Sequence, residues 1–170
     1  MQAVNNKQGF NWGHININVS DLDASIAFYE KLGFHTFLPG IPYLGLSASL
    51  PATPMSDSVC AAIGVPVGTT GRACIMQLGD GFPMLDLTEL DTPSPRPPLQ
   101  TPDRGVVRIC LSSEDLARDV AKLKDQGVEF LSDVTSGHSD LADIALCRDP
   151  DGSLIELIQI YLERWQPLLA

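Results

Sequence analysis

Apolar and polar residues alternate along one short segment near the start of the chain, and a second segment resembles it in length. In HININVS (14–20), Ile15, Ile17 and Val19 alternate with polar residues, which is the period of a half-buried strand. The segment VVRICLS (106–112) has the same length and is more apolar. After each segment the apolar residues recur at close to helical spacing, over 22–32 and 116–123. Both regions therefore predict a strand followed by an amphipathic helix.

These two regions align without a gap, as two copies of one unit. The aligned pairs are His14 with Arg108, Asp21 with Asp115, Leu22 with Leu116, and Gly33 with Gly127. Ser20 or Asp21 is the predicted helix cap in the first copy, and Ser112 or Ser113 in the second. Gly33 and Gly127 each follow a helix, where a left-handed residue is common. The next strands are predicted to start at 34–37 and 128–131.

Each copy ends in a predicted β-hairpin. Asp80-Gly81 and Asp151-Gly152 separate apolar runs, within 72–90 and 143–160, and Asp-Gly is a strong hairpin-turn signal. An acid flanked by apolar residues follows each turn, Asp86 in the first copy and Glu156 in the second. Each copy therefore reads as strand, helix, strand, strand, strand, and the predicted fold class is α+β with two βαβββ repeats.

Two segments interrupt the repeat. Residues 38–71 form an insertion rich in Pro, Gly, Ser and Ala, in which SDSVCAAIG (56–64) predicts a short helix capped by Ser56 or Asp57. Residues 92–104 are rich in proline and predict a stiff linker. We expect one domain over 10–161, with copy one at 10–91, copy two at 105–161 and a C-terminal tail at 162–170. The tail is apolar, which favours packing on the domain or on a second subunit.

Composition narrows the functional classes. The net charge of −10 argues against nucleic acids and anionic membranes as partners, because both favour a basic surface. No apolar run is long enough to span a membrane, and the N-terminus does not resemble a secretory signal. We therefore expect a cytoplasmic protein. The four cysteines are scattered without a Cys-x-x-Cys pair, which favours buried thiols over a zinc site or disulfides.

The chain resembles the vicinal oxygen chelate superfamily, which includes glyoxalase I, methylmalonyl-CoA epimerase, extradiol dioxygenases, fosfomycin-resistance enzymes and bleomycin-resistance proteins. The resemblance covers nearly all of 10–161. It depends on the segments GHININVSDLDASIAFYEKLGF (13–34), MLDLTEL (84–90), GVVRICLSSEDL (105–116) and DPDGSLIELIQI (149–160). It implies an open cup made of two βαβββ copies, a small-molecule ligand and, as in many relatives, a homodimer. It also implies that His14, Asp86 and Glu156 stand at metal-ligand positions, while Arg108 stands where the family has histidine.

Three interpretations of these four positions remain open. In the first, His14, Asp86 and Glu156 hold a divalent Zn, Fe, Mn, Ni or Co ion, since imidazole and carboxylate suit these metals. Arg108 argues against a four-ligand site because a guanidinium does not lose its proton. In the second, Arg108 replaces the metal as the group that stabilises negative charge, and His14 is the general acid or base.

In the third interpretation the four residues form a polar network without chemistry, as in relatives that only sequester a drug. The insertion is expected to cover the pocket, so Tyr43 and Met55 are predicted to contact the ligand. We expect a lyase- or isomerase-type enzyme, or an oxygenase, with His14 and Arg108 as catalytic residues. The alternative is a non-catalytic protein that binds a drug or metabolite.

Overall fold

The computed structural model describes residues 9–92 and 96–165. The chain separates into two compact units, and the division does not follow the two copies. Within the described residues, unit 1 contains 9–22 and 33–92, and unit 2 contains 23–32 and 96–165. Most of the first copy's helix thus belongs to unit 2. In the sequence, this helix belongs to copy one.

The elements follow the order predicted from the sequence, with additions in the insertion. In chain order the first part comprises β1 (His14–Val19), α1 (Leu22–Lys31), β2 (Phe34–Leu38), β3 (Gly40–Ile41), β4 (Leu46–Ser47), β5 (Thr53–Pro54), α2 (Asp57–Ile63), β6 (Thr70–Leu78) and β7 (Met84–Leu90). The second part comprises β8 (Arg108–Ser112), α3 (Leu116–Asp125), β9 (Thr135–Ser136), β10 (Ala142–Arg148) and β11 (Leu154–Ile160). Three single 3-10 turns lie at Pro42–Leu44, His138–Asp140 and Leu162–Arg164.

Unit 1 is built on a sheet with strand order β1-β7-β6-β2, in which β5 pairs with β6. Strands β1 and β7 are parallel, and β6 is antiparallel to β7. Asp86 pairs with Asn16 on one side and with Ile75 on the other. Residues that pair across strands point to the same face. This register therefore puts Asn16, Asp86 and Ile75 on one face of the sheet.

The insertion packs against that same face. Its buried residues form one apolar cluster with Ala73 and Ile75 of β6; they are Ile41, Leu44, Leu46, Met55 and Cys60. Met84 and Leu90 of β7 pack against the cluster. Helix α2 begins after Ser56, whose side chain accepts a hydrogen bond from Val59 N, so the predicted helix and its cap are confirmed. The insertion thus forms a second layer on the sheet of unit 1, and the two layers share one apolar cluster.

Unit 2 is built on a sheet with strand order β8-β11-β10-β9. Strands β8 and β11 are parallel, and β10 and β11 form the predicted hairpin. In the turn of this hairpin, the Asp149 carboxylate accepts hydrogen bonds from Asp151 N and Ser153 N. Gly152 adopts a φ of 94°, a conformation that glycine takes readily. The Asp-Pro-Asp-Gly segment therefore forms a turn held by its own first carboxylate.

Helix α1 is attached to unit 2 by a buried hydrogen bond. Tyr29 is fully buried, and its hydroxyl donates to Asp149 Oδ2 at 3.2 Å. Burial and the neighbouring Asp149 raise the pKa of the Tyr29 phenol. At the end of the helix, Lys31 Nζ donates to the carbonyl of Gln126 at 3.0 Å. These contacts explain why residues 23–32 group with the second copy.

The internal repeat extends to the start of each helix. Glu89, near the end of β7, accepts a hydrogen bond from Leu22 N at 2.7 Å. Gln159, near the end of β11, accepts from Leu116 N at 2.9 Å. The second helix differs from the prediction in its cap: Asp115, rather than Ser112 or Ser113, accepts from the helix backbone, at Arg118 N. The prediction was wrong because the helix begins at Leu116, which makes Asp115 the residue adjacent to its first turn.

One strand prediction in the second copy was also wrong. Segment 128–131 forms only an isolated bridge between Phe130 and Cys147, and the second strand of that copy lies at Thr135–Ser136. The fold is nevertheless a mixed α+β structure with βαβββ order in both copies, as predicted. Within 9–92 and 96–165, no helix is long and apolar enough to cross a membrane. Of the apolar tail, Trp165 donates to the carbonyl of Leu141, while Leu168 and Leu169 lie outside the described residues.

Candidate active site

In unit 1 the structure brings His14 and Asp86 together. His14 is the first residue of β1, and Asp86 is the third residue of β7, the neighbouring parallel strand. Nε2 of His14 lies 3.5 Å from Oδ2 of Asp86. The aspartate is 2% exposed, whereas 39% of the imidazole side chain is accessible. An accessible imidazole therefore faces a buried carboxylate.

The second oxygen of Asp86 is also occupied. Thr88, two residues further along β7 and 2% exposed, donates from Oγ1 to Asp86 Oδ1 at 2.6 Å. Asn16 Nδ2 donates in turn to Thr88 Oγ1 at 3.3 Å. The four side chains form a continuous polar chain from Asn16 through Thr88 and Asp86 to His14. Neither Asn16 nor Thr88 is among the site residues predicted from the sequence, although each follows a candidate residue by two positions and so shares its strand face.

The insertion contributes one residue to this site. Tyr43, on the 3-10 turn of the insertion, is 62% exposed, and its ring stacks on that of His14 with centroids 6.5 Å apart and planes 20° apart. Burial, and then the negative charge of Asp86, raise the pKa of the Tyr43 phenol. Met55 is buried in the apolar cluster of the insertion. The structure therefore gives Met55 a packing role, whereas Tyr43 stands beside the imidazole.

In unit 2 the residues at the equivalent positions, Arg108 and Glu156, form an ion pair. Arg108 Nε donates to Glu156 Oε2, and 38% of the arginine side chain is exposed. Cys110 Sγ donates to the other carboxylate oxygen at 3.4 Å. Burial, followed by the hydrogen bond to Glu156 and its charge, raises the pKa of the Cys110 thiol to about 11, and Arg108 partly opposes this rise. Cys110 was predicted only as a buried thiol, but it is exposed.

The strand register shows that the two acids occupy equivalent positions in the two copies. Asp86 pairs with Asn16, the residue two after His14, and Glu156 pairs with Cys110, the residue two after Arg108. Each acid thus contacts the side chain from the start of its parallel neighbour. In unit 1 that side chain is an imidazole, and in unit 2 it is a guanidinium.

The donor set does not fit a metal site of the kind that the family resemblance implies. Both oxygens of Glu156 are bound by Arg108 and Cys110, and a guanidinium cannot ligate a cation. In unit 1, Asp86 Oδ1 is held by Thr88, so His14 and Asp86 Oδ2 are the donors that remain. In the part of the chain that the structure describes, no group of three His, Cys, Asp or Glu side chains is arranged to hold a metal ion. Ligation by His14, Asp86 and Glu156 stays a prediction.

The two remaining histidines lie on other elements, and Glu89 has other partners. His35 and His138 are exposed, on β2 and on a 3-10 turn respectively. Glu89 accepts from Leu22 N and pairs with Arg72 at 3.3 Å. It therefore supports the helix start and the sheet rather than the His14 site.

The chain matches the model of a known protein family. The model of the Glyoxalase/Bleomycin resistance protein/Dioxygenase superfamily matches residues 11–157. The chain belongs to this superfamily. The resemblance inferred from the sequence is thereby confirmed. This superfamily includes enzymes such as glyoxalase I as well as binding proteins, so membership leaves the reaction open.

Solved structures of this superfamily share the fold. A glyoxalase family protein from Bacillus cereus is 18% identical with a TM-score of 0.69, over 93% of this chain and 99% of that one. The trypanothione-dependent glyoxalase I of Leishmania major is 23% identical with a TM-score of 0.58, over 92% and 91%. A glyoxalase family protein from Enterococcus faecalis is 21% identical with a TM-score of 0.55, over 85% and 94%. No curated protein matches this chain.

Proposed function

We propose that this member of the superfamily is a small-molecule enzyme of the lyase or isomerase type. In this proposal His14 moves a proton on a carbon next to a carbonyl group, and Arg108 binds an anionic group of the substrate. Asp86 orients the imidazole of His14, and Glu156 orients the guanidinium of Arg108. A cytoplasmic location, a homodimeric assembly and the lining of one pocket by all four residues stay predictions from the sequence.

The contact between His14 and Asp86 is the observation that carries the proposal. A general base must be accessible to its substrate and must titrate near working pH, and imidazole is the side chain that does so most often. A buried carboxylate behind the ring stabilises the imidazolium that forms when the base takes a proton. The 3.5 Å separation is long for a hydrogen bond, but such contacts often shorten when the substrate binds.

Arg108 supplies a permanent positive charge, which does not depend on pH. Within the described residues its hydrogen bonding is confined to Nε, which faces Glu156. The two terminal nitrogens can therefore donate to a substrate carboxylate or enolate. Such donors stabilise negative charge that develops when a carbon next to a carbonyl loses its proton.

The experiment follows proton exchange instead of a specific product. Purified protein is incubated in D2O with 2-oxo acids, 1,3-dicarbonyl compounds and 2-hydroxy ketones, and loss of the α-proton signal is followed by NMR. We expect enzyme-dependent exchange that falls by about 10²- to 10⁴-fold in His14→Gln, the usual contribution of a general base. His35→Gln is the matched control, since His35 is an exposed histidine of the same unit. Exchange that persists in His14→Gln refutes the assignment of the base.

Two further measurements separate the other interpretations. Arg108→Ala should abolish exchange while binding of the same compound remains measurable by calorimetry. Elemental analysis of protein purified without chelator should find less than one metal ion per chain. Stoichiometric metal that is lost in both His14→Ala and Glu156→Ala would replace our proposal with a metal-dependent one.

A non-catalytic binding protein is the second candidate. It is favoured by the fact that each acid already has a partner in its own unit, His14 for Asp86 and Arg108 for Glu156. Such compensated pairs are compatible with a purely structural polar network. If Arg108→Ala only weakens the binding of a compound that is recovered unchanged, this second function is correct.

A further inference from the structure

Thr88 is the side chain that fixes the orientation of the Asp86 carboxylate. An ionised carboxylate can only accept hydrogen bonds, so the Thr88 hydroxyl must be the donor in the 2.6 Å contact with Oδ1. The same hydroxyl oxygen then accepts from the Asn16 amide at 3.3 Å. With one oxygen of Asp86 held by Thr88, the other is directed at Nε2 of His14.

The second copy shows that the fold does not require a hydroxyl at this place. Ile158 lies two residues after Glu156, as Thr88 lies two residues after Asp86. The equivalent strand position therefore accepts a β-branched apolar side chain. Cys110 likewise occupies the position equivalent to Asn16 and donates directly to Glu156. The relay from Asn16 through Thr88 is thus particular to the copy that carries the histidine.

We propose that Thr88, supported by Asn16, is a positioning residue that sets the tautomer and orientation of His14 through Asp86. This inference rests on the proposed role of His14 as general base. When Asp86 Oδ2 faces Nε2, the neutral imidazole keeps its proton on Nε2, so Nδ1 is the nitrogen free to accept a proton from the substrate. Loss of the Thr88 hydrogen bond lets the carboxylate rotate, and the tautomer is no longer fixed.

The test uses Thr88→Val, which removes the hydroxyl and keeps the β-branched shape. Thr88→Ser is the rescue variant, and Thr36→Val, on the exposed surface of β2 in the same sheet, is the matched control. Imidazole nitrogen shifts report the tautomer, and only three histidines need assignment. We expect the Nε2–H form of His14 in the natural protein, in Thr88→Ser and in Thr36→Val. Thr88→Val should give a mixture of the two tautomers.

Proton exchange should change in parallel. We expect a 10- to 100-fold loss of exchange in Thr88→Val, the range that one hydrogen bond to a charged group is worth. Thr88→Ser should restore most of it. Asn16→Ala should produce a smaller change in the same direction, and it provides a second variant if Thr88→Val does not fold.

The two proposals fail in different ways. If His14→Gln abolishes exchange but Thr88→Val changes neither the tautomer nor the rate, only the positioning role is refuted. If no tested compound exchanges in any variant, the tautomer measurement on the ligand-free protein still decides the role of Thr88. An unchanged Nε2–H tautomer in Thr88→Val overturns the inference in either case.

Discussion

The Cys110 thiol should be unusually slow to react, although it is exposed. Its pKa is raised from 9.0 to about 11 by partial burial of the thiol and by Glu156, and only the thiolate is nucleophilic. At pH 8, two units of pKa reduce the thiolate population by about 100-fold. A more basic thiolate is also more nucleophilic, by about tenfold over two units. The net expectation is exchange with a disulfide about tenfold slower than for an unperturbed thiol.

Replacement of Glu156 tests the cause of this rise. Glu156→Gln removes the negative charge that favours the protonated thiol, while Arg108, which lowers the pKa of Cys110, remains. We therefore expect Glu156→Gln to react up to about tenfold faster at pH 8. Arg108→Gln should react more slowly than the natural protein. The opposite signs of the two variants distinguish an electrostatic effect from a general loosening of the strand.

The assay is exchange with a neutral dipyridyl disulfide, followed by the absorbance of the released thione. Cys60, Cys74 and Cys147 are buried, so Cys110→Ser should remove the reaction of the folded protein. The logarithm of the rate should rise with unit slope from pH 7 to 9.5 in the natural protein. In Glu156→Gln it should begin to level off at a lower pH than in the natural protein, although burial still holds the pKa of Cys110 above 9.0. A natural protein that levels off near pH 9, or a Glu156→Gln variant with an unchanged rate, would refute this reasoning.

Three further outcomes follow from the packing. Tyr29→Phe should lower the free energy of unfolding by about 1–2 kcal/mol in urea titrations, because it removes a buried hydrogen bond to Asp149; an unchanged midpoint would contradict this. Burial raises the pKa of Asp149 above 3.8, against the hydrogen bonds from Ser153 and Tyr29. Its stabilising contribution is therefore present at low pH and is lost as pH rises through the raised value. In urea titrations, Asp149→Asn should gain stability relative to the natural protein as pH rises above 3.8, and a difference that does not change with pH would contradict this. Ser56→Ala should cost about 1 kcal/mol by loss of the α2 cap, measured by thermal unfolding; an unchanged unfolding midpoint would contradict this.

The repeat made the strands and the twin acids predictable. Period-two alternation placed His14 on a strand, and the gapless repeat extended that assignment to Arg108. The Asp-Gly turns placed Asp86 and Glu156 on hairpin strands, and the register of the parallel pairs agrees with the alignment of the copies. The short helix of the insertion was predictable because Ser56 provides a strong cap signal. These features depend on short-range sequence patterns, which can be recognised in one sequence without knowledge of tertiary contacts.

Features that depend on tertiary contacts were not predictable. The segment after Gly127 has apolar residues at 128, 130 and 131, but its backbone pairs only once, at Phe130. The burial of Met55 arises because the insertion forms its own core on the sheet. The exposure of Cys110 follows from its position on the same strand face as Arg108, a relation that composition does not reveal.

The assignment of α1 to the second unit has a consequence for the autonomy of the two copies. A chain cut at the proline-rich linker, between the copies, would separate Tyr29 from Asp149 and Lys31 from Gln126. The first fragment would contain a helix without these partners, and the second would expose a carboxylate that is 5% accessible in the whole chain. The segment that is repeated in the sequence is therefore not a compact unit of the structure, and the helix of the first copy finds its buried partner in the second copy.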